Sequence, residues 1–313
     1  MINPTKNIGS KSWISIAALS LVFAGAYSFL RALPDAQCGF LHYVEIVNED
    51  GEIELCATNH AGFIDLSVLT YPVAASLETE EPLRLWEKAQ VALDLETSGG
   101  MSIAPFELAI THTEKMHVMV IDPSLEDYHH LHPEAEGLGG LYHFKFTPER
   151  AGKYRVFTEI VPVRSRRQAI ALSELEVAGD AASPQFKLST ECVVGGVKFK
   201  LSGVPKTLNT GRDYRLELRV TEAASGAPAD LEVVMDAKGH MVAFDERAHG
   251  FAHMHPIDSV DSVTAAGITN APADDSELAF LFNVPNSGWY RLFAQIQLGG
   301  EAVYGRFDLK VED

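Results

Sequence analysis

The chain has 313 residues, of which 46% are hydrophobic and 22% charged, enough apolar material for about two packed domains and too much for a disordered chain. Asp and Glu number 43 against 25 Lys and Arg, a formal charge of −18. A surface this acidic repels a phosphate backbone, so no nucleic acid is expected as a partner.

In chain order, the first element is an uncharged run of 19 residues between Lys11 and Arg31, SWISIAALSLVFAGAYSFL, about the length that crosses a bilayer. Lys6 and Lys11 precede it and the first acidic residue is Asp35. The positive-inside rule therefore makes residues 1–35 a cytoplasmic stub and single-pass transmembrane helix, with everything after it outside the cytoplasm. The small residues Ala24-Gly25-Ala26 suit the alternative of a cleaved signal peptide.

Residues 36–82 read as a short β-rich module. Within it, HYVEIVNEDGEIEL places two β-rich runs around Glu49-Asp50-Gly51, an Asp-Gly hairpin signal. That hairpin would bring Cys38 to Cys56 as a disulfide and leave Cys192 over; three buried thiols are the alternative. None of the three has CxxC spacing, which argues against thiol redox chemistry and a cysteine zinc site.

Beyond the module the chain repeats itself. A shift of 123 residues lays His117 on His240, Asp122 on Asp245, Tyr128 on Phe251, and His130-Leu131-His132-Pro133 on His253-Met254-His255-Pro256. After that motif the shift becomes 136, and Gly152-Lys153-Tyr154-Arg155-Val156-Phe157 meets Gly288-Trp289-Tyr290-Arg291-Leu292-Phe293. The extra residues of the second copy fall in the loop DSVDSVTAAGITNAPADDS. Period-two alternation such as Tyr214-Arg215-Leu216-Glu217-Leu218-Arg219-Val220 marks strands. The predicted fold is all-β: two tandem immunoglobulin-like antiparallel β-sandwiches over 83–178 and 187–313, joined by the linker AGDAASPQ.

Ten of the 12 histidines fall within 112–143 and 240–255, a concentration that points to function. Residues i and i+2 of a strand share a face, so His130 with His132, and His253 with His255, each present paired imidazoles. With His117 and His240 on neighbouring strands, each copy converges three nitrogens, a set suited to copper or, as second choice, zinc. The thioethers Met116, Met119, Met241 and Met254 would add softness for Cu(I), although strand methionines more often pack in cores. Asp122 and Asp245 would either orient an imidazole or shape a loop. The repeat does not reproduce His112, His129, His143 or His249. The competing reading makes His-X-His-Pro a structural corner whose imidazoles bond loop carbonyls.

The segments MHVMVIDPSLEDYHHLHPE and GHMVAFDERAHGFAHMHP resemble the tandem His-containing immunoglobulin-like domains of exported bacterial envelope proteins, distantly similar to YtkA-like domains that are copper-related or uncharacterised. The resemblance covers about 90–160 and 214–300 and rests on His117, His130, His132, Pro133, His240, His253, His255 and Pro256. It implies an envelope protein. With the anchor, a bacterial inner-membrane protein with its sandwiches in the periplasm is expected, and the histidines make copper the expected cargo.

No G-x-S-x-G elbow, Walker loop or H-E-x-x-H helix is present, so no enzymatic activity is expected. The cluster Arg164, Arg166 and Arg167 reads as solvated loop charge, or as a contact for an acidic partner or lipid head groups. A second functional reading makes the protein a non-catalytic accessory subunit bracing a larger membrane complex. Exposed Phe63, Ile64 and Leu66 would favour that reading.

Overall fold

The computed structural model describes residues 10–32, 43–48, 50–57, 62–233, 235, 237–257 and 276–313. Helix α1 (Ser10–Ala32) forms a unit by itself. Among the described residues no helix is long and apolar enough to cross a membrane, which overturns the single-pass inner-membrane placement. Ser15, Ser20, Gly25, Tyr27 and Ser28 interrupt the apolar run, which falls short of the roughly 20 predominantly apolar residues that a span uses.

Strands build most of the remainder. β1 (Tyr43–Val47) and β2 (Ile53–Ala57) make the hairpin that the Asp-Gly signal predicts, with Val47 opposite Ile53. Gly51 turns the chain at φ +80°, a conformation in which a Cβ is strained. The backbone N–H of Glu52 donates to Asn48 Oδ1 at 2.9 Å. Cys38 and the Cys56 side chain lie outside the described residues, and so does the expected disulfide. Cys192 is a free, half-buried thiol whose pKa burial raises.

β3 (Ile64–Asp65), β4 (Val73–Glu78), β5 (Ala89–Thr97), β6 (Met116–Ile121), β7 (Tyr128–Leu131), β8 (Glu134–Ala135), β9 (Leu141–Phe146), β10 (Gly152–Ile160) and β11 (Ala169–Val177) follow. Two antiparallel sheets, β4-β5-β9-β8 and β11-β10-β6-β7, enclose a first core around Val91, Leu93, Val118, Val120, Tyr154 and Val156. The first sandwich thus takes in a strand upstream of residue 83, where the sequence placed its start.

The second copy contains β12 (Glu191–Val194), β13 (Val197–Ser202), β14 (Leu208–Asn209), β15 (Tyr214–Glu222), β16 (His240–Asp245), β17 (Gly250–Met254), β18 (Glu277–Phe282), β19 (Gly288–Leu298) and β20 (Glu301–Glu312). Its sheets, β12-β13-β15-β18 and β14-β20-β19-β16-β17-β3, enclose a second core around Phe199, Leu216, Leu218, Phe280 and Phe307. Most of the insertion loop, residues 258–275, lies outside the described residues.

The segment 36–82 ties the copies rather than folding alone. Its hairpin docks on the first copy, where Leu55 packs on Ala109 and Val161 and its N–H donates to Ile110 O at 2.8 Å. β3 pairs with β17 at the edge of the second copy's sheet. Ile64 is buried, and Phe63 stands edge-on to Tyr290 at 5.5 Å. These residues are packed inside the fold, not displayed as a docking patch.

A third core explains why β6 and β16 are buried on both faces. Val118 and Val120 point into the first sandwich, while Met119 and Ile121 point out of it. They meet Phe157, Val242, Phe244, Phe251 and Phe293, so the β6/β10 sheet of one copy packs on the β16/β19 sheet of the other. The contact is reciprocal. Arg155 donates to Ala248 O at 2.7 Å, and its repeat partner Arg291 donates to Leu125 O, the equivalent carbonyl, at 3.1 Å. The duplicated halves therefore face each other about a pseudo-twofold axis.

Candidate metal centre

The alternation that sends Met119 and Ile121 into the contact between copies sends His117 there as well. On β7, His130 lies opposite Met119 and shares its face. The second copy repeats this with His240 on β16 and His253 opposite Val242 on β17. Because the two faces oppose each other, the two triplets adjoin. His130 lies 5.0 Å from His253 and 6.3 Å from His240, and His117 lies 5.4 Å from His253, ring centre to ring centre. The two constellations expected from the repeat thus lie side by side in one cluster.

His117, His130, His240 and His253 are buried, while His132 and His255 are half-buried. His112 joins them: its ring stacks on His255 at 3.5 Å and 16°. It does so from a left-handed turn at φ +52°, and its repeat equivalent Met235 adopts φ +51°. The duplication thus kept the backbone shape and changed the side chain, which is why comparing the copies did not mark His112. His129 pairs with Asp127 and His143 with Glu136, while His249 approaches Asp245 at 3.9 Å.

Hydrogen bonding fixes most tautomers. A carbonyl only accepts, so His117 Nε2 carries the proton it donates to Thr111 O at 2.9 Å, leaving a lone pair on Nδ1. His130 Nδ1 donates to Gln295 Oε1 at 3.0 Å, leaving a lone pair on Nε2. Those two lone pairs face each other at 3.3 Å. His253 Nδ1 donates to Glu159 Oε2 at 3.2 Å, and its Nε2 is buried without a partner. Among the described residues, His132 Nε2 and both nitrogens of His240 are likewise buried and unpartnered. His117, His130 and His132 bring one nitrogen each within 4.8 Å of one another.

Glu159 and Gln295 were not singled out in the sequence, although a signal was present. Both follow the aligned Phe157 and Phe293 by two residues, as polar residues within apolar strands, and they occupy equivalent positions opposite His117 and His240. Each reaches across to the other copy's first His-X-His imidazole. Histidines so anchored on the far nitrogen are the usual arrangement around metal ligands.

Burial lowers the imidazole pKa values and neighbouring imidazoles lower them further, to about 4 at His117 and about 3 at His112 and His132. His130, His240 and His255 are pushed well below the usual range by the same causes. Burial raises the Glu159 pKa, but the hydrogen bond and attraction of His253 outweigh it and hold the carboxylate at about 2. At neutral pH the imidazoles of His112, His117, His130, His132, His240 and His255 are therefore uncharged, beside one buried carboxylate.

Other expected participants lie elsewhere. Met116, Met241 and Met254 fill the two sandwich cores, and Met119 packs among Phe157 and its neighbours. The thioethers thus belong to the cores and add no softness to the site. Asp122 accepts from Ser124, Glu126 and Asp127, and Asp245 from Arg247 and Gly250; both shape the β6–β7 and β16–β17 loops. Arg166 pairs with Glu45 on β1 at 2.5 Å.

The fold and cluster define a class: a duplicated, immunoglobulin-like β-sandwich protein whose halves share a buried histidine centre. The chain belongs to the family described as domain of unknown function DUF8832, which matches residues 71–176 and 192–313. The match is to this family rather than to the YtkA-like, copper-related domains that the histidine motifs resemble. No curated protein matches.

Among solved structures, the chain is similar to fibronectin(III)-like modules of Clostridium thermocellum CbhA, at 9% identity over 76% of this chain and 94% of that one, TM-score 0.21. It is also similar to the ICAM-5 D1–D4 ectodomain fragment, at 12% identity over 77% and 54%, TM-score 0.22. Salmonella alpha-2-macroglobulin reacted with methylamine matches at 13% identity over 81% of this chain, TM-score 0.25. This chain spans only 15% of that protein's length. Likenesses at these scores say nothing of what the chain does.

Proposed function

We propose that the protein binds a transition-metal ion, copper before zinc, at His117, His130 and His132, and that its role is to hold the ion rather than to turn over a substrate. The observation that carries this reading is the pair of facing lone pairs, His117 Nδ1 and His130 Nε2, 3.3 Å apart. With Gln295 presenting its oxygen to His130, each ring is held by a hydrogen bond on its opposite side, which turns the two lone pairs toward each other. Two lone pairs held together repel unless a cation sits between them. Imidazole nitrogens about 2.05 Å from a tetrahedral ion stand about 3.3 Å apart. An all-imidazole donor set suits both metals, and the general affinity order favours Cu(II) over Zn(II). Thr111 O and Gln295 Oε1 fix the ligand tautomers, and Glu159 adds negative charge nearby.

Calorimetric titration of the full chain with Cu(II) and with Zn(II), beside the variant His117→Ala/His130→Ala, tests this. Tight stoichiometric binding by the wild-type chain, with one equivalent lost in the variant, is the expected result. Equal binding by the two proteins would refute it.

A further inference from the structure

An ion on His117, His130 and His132 leaves the other half of the cluster unexplained. Among the described residues, both nitrogens of His240 and the Nε2 of His253 remain buried with no hydrogen-bond partner. Buried polar atoms without partners are rare, and a site that ligates an ion is one of the few settings that accounts for them. We infer that a second ion of the same class sits on His240, His253 and His255, with His112 beside it, so that the centre holds two metals and draws on both copies. This inference rests on the function proposed above.

The scaffold supports it independently of the first trio. His240, His253 and His255 occupy the same strand positions as His117, His130 and His132, and His253 lies opposite Val242 as His130 lies opposite Met119. The first imidazole of each His-X-His motif is also anchored in the same way. His253 Nδ1 donates to Glu159 as His130 Nδ1 donates to Gln295, so both Nε2 lone pairs are aimed by the opposing copy.

The ring centres of the second trio stand 5.9, 4.5 and 4.7 Å apart, against 5.5, 5.1 and 4.9 Å in the first. Only the first trio has its nitrogens within 4.8 Å of one another among the described residues, so seating the second ion requires His240, whose nitrogens are both uncommitted, to turn its ring. The one carboxylate bonded to a cluster imidazole, Glu159, holds His253, a ligand of this second seat. His130 and His253 adjoin at 5.0 Å, which places the two seats side by side.

Native mass spectrometry of the full chain loaded with Zn(II) counts the ions. The expected result is two per wild-type chain, one in His240→Ala/His255→Ala and one in His117→Ala/His132→Ala. Loaded with Cu(II), the wild-type chain should show the half-field paramagnetic resonance line of a coupled pair, a readout that needs no variant to fold. One ion per wild-type chain, unaffected by His240→Ala/His255→Ala, with the spectrum of an isolated Cu(II), overturns the second seat and leaves the first standing. No ion in the wild-type chain overturns both.

Discussion

Acidifying the metal-free protein tests the desolvated histidines directly. An imidazole whose folded pKa lies below its unfolded value stabilises the fold fully above the unfolded value and loses that contribution as pH falls toward the folded one. For His117 the two values are about 4 and 6.5, so the penalty develops between pH 6.5 and 4. Going from pH 7 to pH 5 costs about 2 kcal/mol for this side chain alone, by linkage. His112 and His132, at about 3, titrate in the same direction, discounted for their partial exposure. Glu159, held at about 2, stays ionised across the window and acts only below it. The His117 loss alone corresponds to a melting temperature lower by about 3 °C at pH 5 than at pH 7. Differential scanning calorimetry of the chelator-treated chain measures it. His117→Gln, which removes the titrating ring, should flatten the dependence. A metal-free chain that melts at one temperature at both pH values, with no difference from the variant, would show that these imidazoles are not desolvated.

Three further outcomes are expected. Glu159→Gln gives the first copy the amide that the second already carries at Gln295; loss of the carboxylate bonded to His253 should weaken Cu(II) binding about 10–100-fold with the fold intact, and unchanged affinity in a calorimetric titration would contradict it. Arg291→Met strands Asp308, which is buried and accepts from both ends of the guanidinium at 2.7 and 2.9 Å, and also breaks the bonds to Ser124 and Leu125 carbonyls. It should cost about 3–5 kcal/mol in denaturant melts, against about 1 kcal/mol for Arg155→Met, which loses the single bond to Ala248 O; equal losses would contradict the asymmetry. Gly250→Ala places a Cβ 1.8 Å from Ile64 O, so β3 should detach from β17 and limited proteolysis should cut near residues 62–72, while an uncut variant would mean that the strand holds by other contacts.

The histidine triplets were legible because they depend on local rules. Period two sets His130 beside His132, and the 123-residue shift sets His117 and His240 at matching positions. That the triplets merge depends on which sheet of each sandwich faces the other, which no strand pattern states outright. Its trace was nevertheless written in MHVMVI and HMVAFD, strands with no polar face beyond the histidine and the closing aspartate. A sandwich strand exposed on one side alternates as Tyr214–Glu222 does; a strand that cannot alternate must be covered twice. Glu159 and Gln295 carry the same message, as buried polar residues that share a strand face with Phe157 and Phe293 toward the contact. The first helix misled for the converse reason, since charge-free length was read without the polar and small residues that interrupt it.

The duplication also settles why neither half suffices. In each copy the imidazole at the start of His-X-His takes its orienting partner from the other copy, Gln295 for His130 and Glu159 for His253. A single sandwich would retain three histidines but lose the bond that fixes one tautomer, and the outward faces bearing Met119, Phe157, Val242 and Phe244 would be wet. The same surface that buries the third core therefore positions the imidazoles. Forces that dock the halves and forces that aim the lone pairs act through one set of strands, so a substitution that loosens the docking, such as Arg291→Met, should lower metal affinity without touching a histidine. Affinity unchanged in a destabilised but folded Arg291→Met chain would separate the two, and would mean that each triplet holds its geometry from its own sandwich alone.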